Sequence, residues 1–284
     1  MGNVKIVTDS TADIPAALVE ELGITVVPLK VHFGEEMYED GVDLTPKEFY
    51  HKLHESDLMP STSQPTPHQF EEQYRHLAES EGDSPILSIH LSSKLSGTYQ
   101  SANIAAQELE GEVDVTVVDS KRASYAIGII VTEVARFAKE GADKEACLKR
   151  LDKLLTDTTV FFMVDTLEYL ERNGRIGKAS AVLGSLLKIK PILSLNSDGE
   201  VYPFEKARGQ KKAVARILKE FEGRYGSDSV HLGISHAEAQ GEAEAFLNQA
   251  KDRLNVTSSV TTSIGPVIGA HVGPGTISVT ITRS

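Results

Sequence analysis

The residues best suited to chemistry lie in four loops, and the first of these reads HLSSKLSGTY over positions 90–99. Ser96, Gly97 and Thr98 open the helix that is predicted to follow. Unpaired backbone N–H groups and the helix dipole make such an N-terminus an anion site, and Gly97 would let a ligand approach the backbone closely. Serine is also a common helix cap, so Ser96 could instead serve the helix alone.

The second loop reads MPSTSQPTP over positions 59–67. Its three prolines exclude a helix or a central strand, so the segment is predicted to be an ordered loop. Thr62 and Ser63 offer hydroxyl groups without a counter-charge, and the neighbouring prolines would hold them in place. A plain connecting loop is the alternative.

The third loop reads IGPVIGAHVGPGT over positions 264–276 and holds a histidine among glycine, proline and small apolar residues. Such surroundings give His271 little reason to be there for packing. Its imidazole could donate a hydrogen bond to an anion or transfer a proton. A histidine that is satisfied by backbone partners is the alternative.

Positive charge is concentrated in the fourth loop, ERNGRIGK over positions 171–178, and in the segments LKIK (187–190) and KARGQKK (206–212). These segments include Arg175 and Arg208, in a chain whose net charge is −12. One interpretation is a patch that binds a phosphate group or an acidic partner. Solvated helix ends are the alternative.

Other patterns that would indicate catalysis or a cofactor are weak or missing in the sequence. There is no G-x-S-x-G elbow, P-loop, G-x-G-x-x-G fingerprint or cysteine pair. His51 and His54 have i, i+3 spacing without an evident third metal ligand, so surface histidines are favoured. Asp9 and Asp119 each end a predicted strand, and capping or loop hydrogen bonds explain them more simply than acid–base chemistry. We therefore expect no cofactor and no metal.

The composition narrows the kind of partner and the compartment. The chain has 29 basic against 41 acidic residues and a pI of about 5.3, which argues against nucleic acid or stable docking on an anionic membrane. The single cysteine, Cys147, excludes an intramolecular disulfide and is predicted to be a buried or half-buried thiol. With no secretory signal and no long apolar run, the protein is expected to be cytoplasmic.

Strands and helices alternate through the first half of the chain, which predicts a mostly parallel, doubly wound sheet with helices on both faces. Asp13 is predicted to cap a helix that ends before Gly23, and Thr45 to cap a second helix that reaches about His54. Short apolar runs predict strands at 4–7, 24–31, 85–90 and 113–118. Further helices are predicted at 68–78, 97–109, 124–139 and 143–155.

The second half mixes a hairpin with strand–helix units, which predicts a mixed sheet. Asp198-Gly199 between two strand-like runs is a hairpin signal. Strands are predicted at 159–164, 189–195, 201–207, 230–235 and 276–282. Helical stretches are predicted at 167–172, 179–187, 210–224 and 241–254. We therefore predict two α/β domains, residues 1–158 and residues 159–284.

The whole chain resembles the DegV family, the fatty-acid-binding subunits of bacterial fatty-acid kinase. The matching segments are IVTDSTAD (6–13), TSQP (62–65), SSKLSGTY (92–99), VDS (118–120), NGRI (173–176), KIKPI (188–192) and GPVIGAH (265–271). The resemblance implies two α/β domains with an acyl chain buried between them. It also implies a carrier with no catalytic residue of its own and with transient contact, at most, with membranes.

The same resemblance assigns residues to the binding of the fatty-acid carboxylate. It implies that the carboxylate is held by Thr62 and Ser96, together with Gly97 at the start of the helix. It further implies that Ser63 and His271 lie near this site.

A partner is also implied by the resemblance, namely a separate ATP-dependent kinase subunit. Arg175 and Arg208 would belong to the surface that faces this kinase. The carrier would shield the acyl tail and present the carboxylate, and the kinase would phosphorylate it to an acyl phosphate.

The physical demands of such a ligand agree with these assignments. Burial of each CH₂ group contributes ~0.8 kcal/mol, so a long chain binds well in an apolar tunnel. The buried carboxylate must be hydrogen-bonded, and a helix N-terminus with Thr62 and Ser96 would do this without a lysine or arginine in contact. Candidates for the tunnel lining are Ile127, Ile130, Leu167, Val182, Leu183 and Leu186.

Two other classes of function stay open at this point. A stand-alone acyl or phosphoryl hydrolase could use Ser96 and His271, although no nucleophile–base–orienter pattern is visible. A nucleotide-binding regulator could use the same helix N-terminus, although the glycine-rich fingerprint is missing.

Overall fold

A computed structural model describes residues 4–82, 84–185 and 189–284. Its strands are β1 (Lys5–Asp9), β2 (Thr25–Val27), β3 (Lys30–Phe33), β4 (Glu36–Glu39), β5 (Ser61–Ser63), β6 (Ile86–His90), β7 (Val115–Asp119), β8 (Thr159–Met163), β9 (Lys190–Leu195), β10 (Val201–Ala207), β11 (Ser229–His236), β12 (Asn255–Ser263) and β13 (Ile277–Arg283). Its α-helices are α1 (Ala16–Leu22), α2 (Pro46–Glu55), α3 (Pro67–Glu81), α4 (Thr98–Glu108), α5 (Tyr125–Lys139), α6 (Lys144–Asp157), α7 (Glu168–Arg172), α8 (Gln210–Tyr225), α9 (Gln240–Lys251) and α10 (Pro266–Val272). Two 3-10 helices cover Ser10–Ala12 and Gly177–Ser185.

The first sheet is parallel and has the strand order β2-β1-β6-β7. Successive side chains of each strand point to opposite faces. On one face, Val7 and Ile86 belong to a core with Phe70 and Tyr74 of α3. On the other face, Leu87 belongs to the core that includes α5. The predicted doubly wound parallel sheet is therefore confirmed.

The second sheet is mixed and has the strand order β10-β9-β8-β13-β11-β12, in which β11 and β12 run parallel. The predicted hairpin joins β9 to β10, and Gly199 adopts a positive φ of 84° in its turn. Along β8, Phe161 packs outward in the core that includes α8 and α9, whereas Phe162 packs inward. The predicted mixed sheet is confirmed.

Helix α5 lies between the two sheets and contacts β1 and β6 of the first as well as β11 and β13 of the second. Twelve of its 15 residues are buried, as expected for a mostly apolar helix that packs on two sides. Gly128 permits this close packing, because a Cβ atom there would lie 2.6 Å from the carbonyl oxygen of Ala12. The two sheets are thus held together by one buried helix.

A third, antiparallel sheet with the order β4-β3-β5 was not expected from the sequence. The single strand predicted at 24–31 is split into β2 and β3, because Pro28 has no N–H group to donate to a ladder. The segment predicted to be a loop at 59–67 contains β5, which pairs with β3 alone and so forms an edge strand. An edge position tolerates the flanking prolines.

Two further elements of the structure were not predicted from the sequence. Strand β12 was missed because NVTSSVTTS has few apolar residues, which fits its half-exposed position at the edge of the second sheet. The segment predicted to be a loop around His271 contains α10, a short buried helix with Pro266 in its first turn. Its glycines masked the helical pattern.

The predicted helix caps are partly confirmed. Gly23 ends α1 in the left-handed conformation, and Thr45 forms a capping box with Glu48. Asp13 does not cap α1, since no side chain caps that helix. Its carboxylate instead accepts hydrogen bonds from the Gly265 N–H, at 2.9 Å, and from a serine hydroxyl on α5's N-terminal side.

Other predictions can be placed against the described residues. Cys147 is fully buried, as predicted. The helical stretch predicted at 179–187 is a 3-10 helix as far as residue 185, and Leu186, Leu187 and Lys188 lie outside the described residues. No helix in the described parts of the chain is long and apolar enough to cross a membrane. The division into domains after residue 158 stays a prediction.

Candidate ligand-binding cavity

A cavity lies against the inner face of the second sheet, between residues from both halves of the chain. Most of its lining is apolar. The lining residues are Leu29, Thr62, Gln64, Leu91, Leu95, Ser96, Ala123, Ser124, Val160, Phe162, Leu170, Arg175, Leu195, Val201, Ile264, Val267, Ile268, His271, Val272, Thr276 and Ser278. Mostly apolar walls with a few polar groups are typical of small-molecule sites.

The apolar residues of this lining differ from those predicted for a tunnel. The five predicted residues that are described, Ile127, Ile130, Leu167, Val182 and Leu183, belong to the packed core and not to the lining. Ile127 and Ile130 lie on α5, which is packed between the two sheets, and Leu167, Val182 and Leu183 pack in or against the same core. The real wall comes from the inner face of the second sheet, from α10 and from the loop after β6.

Five of the polar side chains in the lining come from four places in the chain: Thr62 and Gln64 at β5, Ser96 before α4, Arg175 after α7 and His271 in α10. Three of them were predicted to lie at or near one site, and the structure brings those three together. The hydroxyl Oγ1 of Thr62 lies 2.8 Å from Nε2 of His271, although 209 positions separate them in the chain. This bond joins β5 to α10 across the cavity.

Strand β5 decides which of its hydroxyls reaches the cavity. Neighbouring residues of a strand point to opposite faces, so Thr62 and Ser63 cannot both line it. Thr62 does, whereas Oγ of Ser63 lies 2.8 Å from Nε2 of His32 and Ser63 is not part of the lining. Ser63 is therefore adjacent to a cavity residue in the sequence, but its own side chain points away from the cavity.

The start of α4 contributes Ser96 and a close contact with Gln64. The Ser96 hydroxyl lies 2.9 Å from the Thr98 hydroxyl and accepts the Thr98 N–H at 3.3 Å. Gly97 occupies the cap position, where an added Cβ atom would lie 2.6 Å from Nε2 of Gln64. Gly97 thus makes room for a protein side chain. The sequence prediction missed Gln64, although it stands in the TSQP segment.

Burial controls the protonation of His271. Burial, and secondly the charge of Arg175, lowers the pKa of His271 from 6.5 to about 4. The imidazole is therefore neutral at pH 7, and one ring nitrogen carries a proton. Nε2 faces Thr62, whereas Nδ1 is buried and has no hydrogen-bond partner among the described residues. Nδ1 of this buried ring is thus an unsatisfied polar atom beside the cavity.

Arg175 brings a positive charge to the same place. Its Nε donates to the carbonyl oxygen of Leu95 at 3.1 Å, and its Nη1 donates to that of Asn173 at 2.7 Å. These bonds fix the guanidinium against the loop that carries Ser96. The resemblance placed Arg175 on a partner-facing surface, and the structure puts it in the cavity lining. Arg208 lies apart, exposed after β10.

The hydrolase alternative receives no support from these contacts. No described hydrogen bond joins Ser96 to His271. A serine–histidine–aspartate chain does exist, with Ser88 Oγ 2.6 Å from His90 Nε2 and His90 Nδ1 2.9 Å from Asp9 Oδ2. All three side chains are fully buried, so a substrate could not reach the serine. Asp9 also accepts the Leu91 N–H, which fixes the start of the cavity loop.

Metal binding is not indicated in the part of the chain that the structure describes. No group of three or more histidine, cysteine or acidic side chains is arranged to hold an ion there. The side chains of His51 and His54 are 73% and 55% exposed, which confirms the prediction of surface histidines. His54 contacts Glu238 at 2.6 Å.

Fold and cavity together define an α/β protein with a parallel sheet, a mixed sheet and a mostly apolar cavity that carries polar groups. The sequence model of the uncharacterised DegV protein family matches residues 3–284. The chain therefore belongs to the DegV family.

Relatives in other bacteria match over nearly the full length. A DegV domain-containing protein of Halalkalibacterium halodurans is 42% identical over 278 residues, which cover 98% of this chain and 97% of that protein. A DegV domain-containing protein of Streptomyces coelicolor is 39% identical, with 98% of each chain covered.

Solved structures of related proteins show the same fold, and several of these proteins are described as binding fatty acids. A DegV family protein from Thermus thermophilus, described by its fatty acid binding, is 40% identical with a TM-score of 0.94 and full coverage of both chains. DegV from Bacillus subtilis, described as a fatty acid binding protein, is 33% identical with a TM-score of 0.89 and full coverage of both. A stearic acid-binding protein from Eubacterium ventriosum is 27% identical with a TM-score of 0.88, over 99% of this chain and 98% of that one.

Proposed function

We propose that this chain binds one long-chain fatty acid in the cavity and acts as a carrier rather than as an enzyme on its own. The observation that carries the proposal is the mostly apolar cavity whose lining includes a few polar side chains, among them the hydrogen-bonded pair Thr62 and His271. An acyl chain gains ~0.8 kcal/mol for each buried CH₂ group, and the cavity offers it apolar walls from the second sheet, from α10 and from the loop after β6. Structural relatives described as fatty-acid-binding proteins support the same ligand.

The carboxylate of the ligand is assigned to Thr62 and Ser96, next to the N–H groups that begin α4 at Gly97. A buried carboxylate must be matched by donors, and two hydroxyls with a helix N-terminus supply them. Arg175 lies in the same lining and adds the positive charge that the sequence interpretation had left out of this site. Its fixed position makes charge-assisted binding possible without a mobile side chain.

The bond between Thr62 and His271 can set the direction of the Thr62 proton. If Nε2 of the neutral ring carries the hydrogen, it donates to Thr62 Oγ1, and the Thr62 hydroxyl is free to donate to the carboxylate. His271 would then act through Thr62 as a positioning residue. The same imidazole would also help to position an acyl phosphate that is formed beside Thr62.

We further propose that the carrier presents the carboxylate to a separate ATP-dependent kinase in the cytoplasm, with only transient contact with membranes. Arg208 supports a docking surface, because it is exposed together with Lys206, Lys211 and Lys212. Among the described residues, none of the four has an ion-pair partner. Such uncompensated charge in a chain of −12 suits an acidic partner surface.

Binding and presentation are tested separately. Titration of the purified protein with palmitic and oleic acids should give saturable binding at one ligand per chain. Addition of a bacterial fatty-acid kinase and ATP should then give acyl phosphate. Arg208→Ala should keep the affinity for the fatty acid and lower the rate of acyl-phosphate formation about tenfold or more.

The matched control is Arg172→Ala, since Arg172 is equally exposed but already paired with Glu168. Its rate should stay at the wild-type level. A wild-type rate in Arg208→Ala would contradict the docking surface, and failure to bind either fatty acid would contradict the carrier itself.

A further inference from the structure

The wall of the cavity contains a second polar position on the second sheet. Ser278 of β13 stands opposite Phe162 of β8 on one side and opposite Ser235 of β11 on the other. Residues directly opposite each other in antiparallel strands share one face of the sheet. Phe162 and Ser278 both line the cavity, so this face of the sheet forms part of its inner wall.

Ser278 is unusual in this row because its hydroxyl has no use within the protein. Its side chain is buried, with 6% of the residue exposed, and it makes no hydrogen bond to any described residue. The neighbours Ile277 and Val279 are apolar and face the opposite core. Ser278 lines the cavity, so its hydrogen-bond partner is whatever fills the cavity, water or ligand. The hydroxyl is therefore available to a polar group of a ligand that enters the cavity.

A second hydroxyl stands close to Ser278. Ser124 also lines the cavity, and its Oγ lies 2.9 Å from Oγ of Ser235, the cross-strand neighbour of Ser278. Ser124 donates to Asp13 at 2.5 Å, which fixes its orientation. A serine oxygen has two acceptor sites, and the contact with Ser235 uses one of them. Ser124 therefore keeps one acceptor site toward the cavity.

These hydroxyls belong to a different part of the wall from the carboxylate cluster. Thr62, Ser96 and His271 come from β5, the start of α4 and α10, whereas Ser124 and Ser278 come from the start of α5 and from β13. No hydrogen bond between described residues connects the two groups. With the carboxylate assigned to Thr62 and Ser96, Ser278 is left to contact the acyl chain.

We propose that Ser278, supported by Ser124, binds an oxygen substituent on the acyl chain, so that the cavity prefers hydroxylated long-chain fatty acids to unsubstituted ones. The inference rests on the proposed fatty-acid binding and names the class of acyl chain. A hydroxyl on the ligand can donate to Ser124 and accept from Ser278, which satisfies both side chains at once. An unsubstituted chain leaves Ser278 unpaired.

The test is a competition between stearic acid and a set of hydroxystearic acids that differ in the position of the hydroxyl group. At least one isomer should bind roughly 3- to 10-fold more tightly than stearic acid, as expected for one net hydrogen bond. In Ser278→Ala this preference should vanish, while the affinity for stearic acid is kept or increased.

A matched control is Ser194→Ala. Ser194 is buried to the same degree as Ser278, at 5% exposed, but it lies outside the lining and donates to the carbonyl oxygen of Val160. This variant should keep the preference for the hydroxylated isomer. Ser278→Ala removes only one oxygen atom, and thermal unfolding of both variants shows whether they remain folded.

The outcomes distinguish this inference from the proposed function. If stearic acid binds as tightly as every hydroxylated isomer, the inference alone is overturned. The partner of the Ser278 hydroxyl would then be an ordered water molecule. A preference that survives in Ser278→Ala would overturn it as well. If neither kind of fatty acid binds, the proposed function fails and this inference fails with it.

Discussion

Replacement of Thr62 by valine tests the carboxylate site most specifically. Valine keeps the branched shape that suits strand β5 and removes the hydroxyl. The substitution removes a donor to the fatty-acid carboxylate and also the 2.8 Å contact with Nε2 of His271. Since Nδ1 of His271 already has no partner among the described residues, the ring would lose its remaining hydrogen bond and its fixed orientation.

The magnitude follows from the charge on the ligand. A hydrogen bond to a charged group contributes about 1.5–3 kcal/mol, and each 1.4 kcal/mol is a factor of ten, so the affinity should fall roughly 10- to 150-fold. The free energy of unfolding should also fall by about 1–3 kcal/mol, because Nε2 of His271 is left unpaired in a buried position.

The assay is fluorescence displacement of a long-chain probe at pH 7, with circular dichroism to confirm the fold. Ser63→Ala is the matched control, because its hydroxyl contacts His32 on the other face of β5. Its affinity should stay within about twofold of the wild type. A folded Thr62→Val protein with wild-type affinity, or an equal loss in Ser63→Ala, would refute the assignment of the carboxylate to Thr62.

Three further predictions follow from the same contacts. Since the pKa of His271 is lowered from 6.5 to about 4, its contribution to stability is full above pH 6.5 and is lost as the pH falls toward 4. Urea unfolding of wild type and His271→Gln should therefore show a stability difference that shrinks by about 2–3 kcal/mol over this range, and a constant difference would contradict the neutral imidazole. Gly97→Ala should weaken fatty-acid binding several-fold because its Cβ would meet Gln64, and the double variant with Gln64→Ala should recover part of the affinity in the same displacement assay. Gly128→Ala should lower the free energy of unfolding by about 1–3 kcal/mol, because the backbone carbonyl of Ala12 blocks the new methyl group; an unchanged urea midpoint would contradict the tight packing of α5.

Much of the fold could be predicted because most strands of its two main sheets are short apolar runs in the sequence. The hairpin between β9 and β10 was predictable because the Asp198-Gly199 step demands a positive φ, which Gly199 adopts at 84°. Strand β12 could not be predicted in this way, since an edge strand that is half exposed needs few apolar residues. Helix α10 was hidden by glycines, whose presence reflects tight packing: a Cβ at Gly269 would lie 2.7 Å from Phe49.

Sequence motifs identified some of the residues that line the cavity, but not the direction of their side chains. Thr62 and His271, which come from two such motifs, lie within hydrogen-bond distance of each other. The direction of Ser63 depends on the register of β5, a strand that the prolines made the sequence interpretation treat as a loop. The place of Arg175 depends on its bonds to the Leu95 and Asn173 carbonyl oxygens, and no local pattern in the sequence encodes such a contact between distant segments.

The lining of the cavity shows the same limit. An apolar residue in a buried helix, such as Ile127, looks identical in sequence to a residue that lines a cavity. Only the packing of α5 between two sheets assigns Ile127 to the core and Val160 to the cavity wall.

The most direct test of the central claim is native mass spectrometry of the purified protein, followed by denaturation and organic extraction. We expect a mass increase that corresponds to one long-chain fatty acid per chain, and we expect it to be lost in the Thr62→Val, Ser96→Ala double variant. A protein that carries no lipid and takes up none when fatty acids are added would contradict the carrier function.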